Sequence, residues 1–256
     1  MIVEFFGPPA AGKTTLAVAL AERLNEGGFD VQLRLSSRPG EESLGRMGDG
    51  RHASRSPLGL TARRLLRPAY ELTVAAMQSS TDRCDSHYSD LLARELARGQ
   101  ILRFLRIKQY LIRLANAWTR AMRKKEICIF DQGYIQIIAT IMLYQPDLSD
   151  ADLVALADMA PKSDLVIFVD TSVDEIETRL VQRRRMLGRM GWLFEDDLGA
   201  VRRRALAAAH LDALLNQSGR KVLSIRSGDD ASLDRCIRCV EGAIRDLAFA
   251  CGASTG

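Results

Sequence analysis

The sequence predicts an α/β fold, a five-stranded parallel sheet enclosed between layers of helices. Three observations predict it. Apolar segments of strand length alternate along the chain with longer segments of helical periodicity. Two of the strands, Glu126–Asp131 (E-I-C-I-F-D) and Asp164–Asp170 (D-L-V-I-F-V-D), are continuous apolar runs ended by an acid. Strands buried on both faces of a parallel sheet have this appearance. The first apolar segment runs directly into a glycine-bearing loop, Gly7 to Thr15, which opens a helix.

Taken in order, Met1 to Phe6 reads as a short apolar strand, and Thr15 to Asn25 as a helix with Leu16, Ala19, Leu20 and Leu24 on one face. Gly27-Gly28 ends it. Phe29 to Leu35 alternates and reads as the second strand. Ser36 to Pro57 is loop-like, rich in glycine and arginine, and is expected to be a flexible loop. Leu58 to Gln78 and Ser86 to Lys125 read as helical, with a joint near Gly99-Gln100. After the strand at Glu126–Asp131, Gly133–Tyr144 and Asp150–Ala160 read as helices. Val173–Arg185 follows the fourth strand as a helix capped by Thr171 or Ser172. Met186–Phe194 reads as a glycine-containing basic loop and Glu195–Asn216 as a long helix. Arg220–Arg226 is the last strand, Ala231–Ala250 the last helix, and Gly252–Gly256 a frayed tail. Nothing marks a linker, so residues 1–251 are expected to form one domain with right-handed crossovers.

The opening loop carries the most specific chemistry. Gly7-Pro8-Pro9-Ala10-Ala11-Gly12-Lys13-Thr14-Thr15 is G-x-x-x-x-G-K-T between a strand and a helix, the P-loop that cradles phosphates. Its two glycines allow close backbone approach, and its N–H groups share the positive end of the helix dipole. The prolines donate no N–H and stiffen the first half. Pro9, Ala10, Ala11, Gly12, Lys13, Thr14 and Thr15 are therefore the candidate triphosphate cradle. Lys13 sets a cation against the β- and γ-phosphates, and the Thr14 hydroxyl suits Mg²⁺. This context predicts a three-layer P-loop NTPase architecture.

Asp131 stands where the third strand runs out, and ligands of open parallel sheets lie at the carboxyl ends of strands. An acid there can reach the metal or accept a proton from an acceptor hydroxyl; a helix N-cap is the plainer alternative. Arg179, Arg183, Arg184, Arg185 and Arg189 run from a helix into a loop bearing Gly188 and Gly191. Guanidinium groups suit forked phosphate contacts, so residues 183–195 are expected to act as a lid that closes on the transferring group. Arg103, Arg106, Arg113 and Arg120 share one side of a helix, with Gln109 and Tyr110 nearby. This basic helix is expected to border an acceptor cleft.

Composition bounds the rest. With 256 residues, 47% apolar and 27% charged, the chain is ordinary for a globular protein. A formal charge of +4 carried in clusters points to anionic ligands at particular places, not to a nucleic-acid polymer. The longest apolar run, Ile135–Leu143, is interrupted by Gln136 and is too short to span a bilayer. The N-terminus is already strand and P-loop, which leaves no room for a signal peptide, and five cysteines without framework spacing fit a reducing cytoplasm. Cys236 and Cys239 lie on an apolar helical stripe and read as core cysteines. None of His52, His87 and His210 has a metal-ligand partner at useful spacing.

The chain resembles the P-loop nucleoside and nucleotide kinases, most of all the thymidylate-kinase-like group. Gly7–Thr15 matches the group's P-loop, and Arg38-Pro39-Gly40 is similar to its R-E-P-G segment. Asp131-Gln132-Gly133-Tyr134 stands where the group has D-R-Y/H, so Gln132 replaces an arginine. Val169-Asp170 through Arg183 is similar to its V-D…R-x-x-x-R stretch, and Arg185–Asp197 with Val201–Leu215 to its lid and following helix. The resemblance implies that Arg38 and Arg106, with Gln109 and Gln132, face the acceptor, while Arg183 and Arg189 face the ATP phosphates beside Arg179. It implies catalytic roles for Lys13, Asp131, Arg183 and Arg189, with Mg²⁺ held at Thr14 and Asp131. The expected activity is transfer of the γ-phosphoryl group of ATP to a small-molecule acceptor, a nucleoside or nucleoside monophosphate. A sugar, antibiotic or polysaccharide-intermediate kinase and a non-catalytic nucleotide switch stay open, as does a homodimer. The chain lacks the N-K-x-D segment of a GTPase, and Asp131 lacks the following acid of a motor ATPase.

Overall fold

The computed structural model describes residues 1–36, 101–124, 126–192, 198–228 and 230–253, and for 101–109, 183–192, 198, 230–231 and 251–253 the backbone alone. The chain divides into two compact units, Met1–Leu35 with Trp118–Gly256, and Ser36–Ala117. The first unit holds the sheet. Strand β1 (Ile2–Phe6) leads to helix α1 (Lys13–Glu26) and then to β2 (Val31–Arg34). Helix α2 (Ile101–Met122) precedes β3 (Ile127–Phe130), which is followed by α3 (Tyr134–Tyr144) and α4 (Asp150–Met159). Then come β4 (Leu165–Asp170), α5 (Val173–Trp192), α6 (Leu198–Gln217), β5 (Val222–Arg226) and α7 (Asp230–Ala253). In the second unit, the described residues are Ser36 and the α2 residues up to Ala117, among them the buried Leu111 and Leu114.

The five strands are all parallel, in the order β2-β3-β1-β4-β5. The sheet is the predicted one, and burial follows position in it. The inner strands β1, β3 and β4 are buried almost throughout, while β2 and β5, at the edges, are partly exposed. On one face, Val3, Phe5, Ile127, Ile129, Leu165 and Ile167 pack against Leu16, Leu20 and Leu24 of α1 and Ile237, Val240 and Ile244 of α7. Each such side chain contributes roughly 1.5–3 kcal/mol by leaving water. On the other face, α3 lies against β1, α6 against β4 and β5, and α4 against α3 and α6. Here Phe6 stacks on Phe168 at 5.0 Å, and Trp118 meets Phe130 at 4.8 Å and Tyr134 at 5.1 Å between ring centroids.

Several boundaries differ from the sequence reading, each for a local reason. Helix α1 begins at Lys13, two residues early, because Gly12 can take the left-handed φ of 94° that opens it. The basic loop expected at Met186–Phe194 is helical as far as Trp192. Gly188 and Gly191 cost about 1 kcal/mol each relative to alanine, but Met186 and Leu187 before them and Arg189 and Met190 between them are good helix formers. The tail expected from Gly252 is helical to Ala253. Ser172, not Thr171, makes the cap of α5: its hydroxyl accepts from Glu175 N–H, and Glu175 Oε2 accepts from Ser172 N–H. Cys236 is buried, with its thiol donating to Arg226 O at 3.3 Å, whereas Cys239 is exposed. The calls at 37–100 lie outside the described residues.

One buried residue breaks the apolar pattern. Glu4 sits in the middle of the central strand, wholly buried, opposite Phe130 on one side and Val166 on the other. Its Oε2 accepts the backbone N–H of Ile135 at 3.1 Å, and its Oε1 accepts the Ser163 hydroxyl at 2.8 Å. Helix α3 has no side-chain cap from its own N-cap residue, Gly133. Glu4 supplies the missing acceptor from 131 residues away. The fit requires glycine: a Cβ at position 133 would lie 2.9 Å from Glu4 Cβ and closer still to the carboxylate oxygen.

Burial pushes the Glu4 carboxyl above the ordinary glutamate range, against the opposing pull of the Ile135 and Ser163 hydrogen bonds and the Arg220 charge. The folded state therefore holds this proton at pH values where the unfolded chain has lost it. Stability from Glu4 is complete below the ordinary glutamate pKa and is lost as pH climbs through the raised one. Glu4→Gln keeps an acceptor for Ile135 and offers a donor to Ser163. The variant should show a flatter dependence of unfolding free energy on pH above the ordinary glutamate range, measured by urea titration. An unchanged slope would contradict the assignment.

Candidate functional site

Strand β1 ends at Phe6, and the loop that follows is built from short-range backbone geometry. Gly7 has φ 148°, and a Cβ there would lie 2.6 Å from Val169 O of β4, so no other residue fits without displacing the strand. Ala11 N–H closes on Pro8 O at 3.4 Å. Ala10 takes φ 58°, the one left-handed non-glycine residue among the described residues. Gly12 opens α1 with no side-chain cap and no acid in the first turn. The positive end of this helix thus faces the loop with no acid of its own first turn to neutralise it, a setting that favours an anion.

Lys13 is 7% exposed, and its ammonium donates to Gly7 O at 2.8 Å and Pro8 O at 2.7 Å. A buried cation needs such acceptors, and hydrogen bonds to a charged group contribute about 1.5–3 kcal/mol each. They also fix the ammonium inside the curve of the loop. Two further side chains brace the loop from outside. Arg179 of α5 donates to Ala10 O at 3.3 Å and to Gly228 O at 2.5 Å, and Thr171 donates to Ala11 O at 3.3 Å. Ala10 packs against the apolar cluster of Ile176, Leu180 and Val201. The carbonyls of Ala10 and Ala11 are thereby drawn toward these neighbours.

Asp131 lies just beyond the end of β3 and is 1% exposed. Its N–H donates to Arg34 O at 3.2 Å, extending the pairing of β2 with β3 by one step. Its Oδ2 accepts the Thr14 hydroxyl at 2.9 Å across 117 residues of sequence. Two hard oxygen donors, one anionic, meet beside a buried ammonium. This donor set fits Mg²⁺, which takes one or two protein oxygens and completes its shell with water and phosphate oxygens. Among the described residues no group of three or more His, Cys, Asp or Glu side chains forms a self-sufficient metal cage.

The structure thus brings Lys13, Thr14, Asp131 and Arg179 around one loop. Pro9, Ala10 and Gly12 are half-buried, Ala11 is buried, and Thr15 is exposed on the first turn of α1. Gln132 is half-buried in the turn between β3 and α3. Arg183 and Arg189 continue α5 beyond Arg179, and Arg106 and Gln109 lie on α2, with side chains outside the described residues. Arg38 lies wholly outside them. Arg113 and Arg120 are exposed on α2. Among the described residues no helix is long and apolar enough to cross a membrane.

Sequence reasoning passed over Gln136, whose Oε1 accepts the N–H of Gly7 at 3.1 Å. It also passed over Glu4 and Gly228, and it read Thr171 as a possible helix cap where the hydroxyl instead donates to Ala11 O. Signals existed for the first two: an acid inside the strand M-I-V-E-F-F, and an amide inside the apolar run I-Q-I-I-A-T-I-M-L. Gly228 contributes a carbonyl, which any residue carries, so nothing in its identity marks it.

No protein-family model matches the chain, and neither does any curated protein. Among solved structures, the chain is similar to deoxyadenosine kinase from M. mycoides with bound dATP, at 13% identity and a TM-score of 0.48, over 94% of this chain and 99% of that one. The same enzyme with products dCMP and a flexible dCDP bound matches at 12% identity and a TM-score of 0.47, over 96% and 100%. Thymidylate kinase from Ehrlichia chaffeensis matches at 16% identity and a TM-score of 0.40, over 95% and 98%.

Proposed function

We propose that the chain is an ATP-dependent kinase that transfers the γ-phosphoryl group to a small hydroxylated acceptor, a nucleoside or nucleoside monophosphate. One observation carries the reading: Thr14 of the P-loop and Asp131 at the end of β3 meet at 2.9 Å beside the buried Lys13 ammonium. A phosphate cradle alone would serve any nucleotide binder. A cradle joined to a buried acid at the carboxyl end of the neighbouring strand provides the two sides that phosphoryl transfer needs.

In this reading the loop N–H groups, the α1 dipole and Lys13 hold the triphosphate, and Lys13 balances charge as it spreads over the transferring group. Thr14 and Asp131 would hold Mg²⁺, which neutralises phosphate charge and orients the β- and γ-oxygens. Arg179 keeps the Ala10 peptide in its strained conformation. Arg183 and Arg189 on the lid at 183–195 approach the phosphates, while Arg38, Arg106, Gln109 and Gln132 serve the acceptor, with 36–57 as its flexible loop. The unit of function is a single kinase domain over 1–251, working in the cytoplasm on a small molecule and not on a nucleic-acid polymer.

Three outcomes test this. Lys13→Ala should lower acceptor-dependent ADP release by about 10³-fold or more while leaving the melting temperature within a few degrees. Near-normal turnover would remove the loop from the active site.

Asp131→Asn should cost about 10²–10³-fold in rate and shift the Mg²⁺ concentration giving half-maximal activity, since an amide is a poor ligand and no base. A change in stability at unaltered turnover would leave Asp131 only a structural acceptor for the Thr14 hydroxyl.

Arg183→Ala and Arg189→Ala should lower kcat more than they weaken ATP binding, because contacts to a closing lid form mainly in the transition state. The measurement is ATP affinity by calorimetry beside ADP release over a panel of nucleosides, nucleoside monophosphates and sugars. Loss of ATP binding in equal measure, with no acceptor stimulating release, would favour a nucleotide switch.

A further inference from the structure

Two peptide planes meet at Gly7, and each is held. The N–H of the Phe6–Gly7 peptide donates to Gln136 Oε1 at 3.1 Å, and the C=O of the Gly7–Pro8 peptide accepts the Lys13 ammonium at 2.8 Å. Gln136 lies in the first turn of α3, a half-buried amide among the buried Tyr134, Ile135, Ile137 and Ile138. That turn is itself anchored: Glu4 accepts Ile135 N–H from beneath, and Gly133 rests against the Glu4 side chain. Asp131 lies five residues before Gln136 on the same short segment. A line therefore runs from Asp131 through the start of α3 to Gln136, across the two peptide planes that meet at Gly7, and to Lys13.

We infer that Gln136 is a positioning residue for Lys13, fixing the peptide plane that enters Gly7, and through it the placement of the next plane on which the ammonium rests, and tying the P-loop to the segment that carries Asp131. The inference rests on the kinase reading only for its effect on turnover; the geometric claim stands apart from it. Gly7 lies where β1 has left its two ladders, so its N–H has no strand partner and must find another. The Phe6–Gly7 plane could rotate about its flanking dihedrals, the φ of Gly7 among them, and glycine resists such rotation least of all residues. The bond to Gln136 holds this plane, and with it the φ of 148° at Gly7; without the acceptor that φ would drift, and the next plane, whose carbonyl receives Lys13, would shift with it. Lys13 would then sample more positions, and less of its charge would be preorganised toward the phosphate.

Gln136→Met removes the acceptor at nearly constant volume, and Gln136→Glu restores an acceptor oxygen at the same place. The first readout needs no catalysis: the rate at which an amine-directed acylating reagent modifies Lys13, followed by mass spectrometry of its peptide. Gln136→Met should raise that rate several-fold relative to wild type, and Gln136→Glu should return it toward the wild-type value. The second readout is steady-state kinetics: Gln136→Met should lower kcat about tenfold with the KM for ATP changed less than threefold. Melting temperatures of both variants exclude a general loss of fold. Unchanged Lys13 labelling in a folded Gln136→Met protein would overturn the inference whatever the turnover. Equal loss of melting temperature and labelling protection in both variants would also overturn it, leaving a merely structural amide. If wild type releases no ADP with any acceptor but the labelling differs as expected, the kinase reading fails and the positioning role stands.

Discussion

Strand β1 is flanked on both sides, by β3 along Ile2–Glu4 and by β4 along Val3–Phe6. Where it stops, the backbone at Gly7 is still buried but has left both ladders. A buried N–H or C=O without a partner costs about as much as a lost hydrogen bond, so the chain must answer these two locally. Gln136 takes the N–H of Gly7, in the Phe6–Gly7 peptide, and Lys13 donates to its C=O, in the Gly7–Pro8 peptide. The Lys13 ammonium is thus held by the same requirement that terminates the central strand. Fold and site share one backbone constraint, and the P-loop is the form the chain takes in meeting it.

A second constraint sits one layer deeper. An acid in the central strand of a parallel sheet is costly unless each oxygen finds a donor. Glu4 finds them in the Ile135 N–H and the Ser163 hydroxyl, with the Arg220 charge within electrostatic reach. The start of α3 is held in consequence, and Asp131, Gln132 and Gly133 form the turn between two fixed points. Trp118, tilted against Phe130 and edge-on to Tyr134, packs on either side of that turn.

How far the sequence could be read follows from the range of each signal. The strands at Glu126–Asp131 and Asp164–Asp170 were plain because inner strands of a parallel sheet are apolar on both faces. The edge strand β2 was read too long, since its alternation continues past the residues that pair. Lys13, Thr14 and Asp131 were legible because their roles depend on spacing along the chain and on position at a strand end. Glu4 and Gln136 were visible as oddities but not as parts, because their partners lie 131 and 129 residues away. Gly188 and Gly191 suggested a loop, yet helix persists through them to Trp192, where neighbouring helix formers outweigh two weak positions. The order of the strands was not readable at all, since short-range pattern does not encode which ladder a strand joins.

Helix α5 grips the phosphate loop with its first two turns: Arg179 holds Ala10 O, and Ile176 and Leu180 enclose the Ala10 side chain. The helix is therefore a lever clamped near one end. Its N-terminal half cannot swing without dragging Ala10 out of the strained φ of 58° on which the curve of the loop depends. The turns beyond Leu180, with Gly188 and Gly191, lie outside that grip. Bending of the helix that reached the clamp would deform the loop, and an intact loop holds the clamp still.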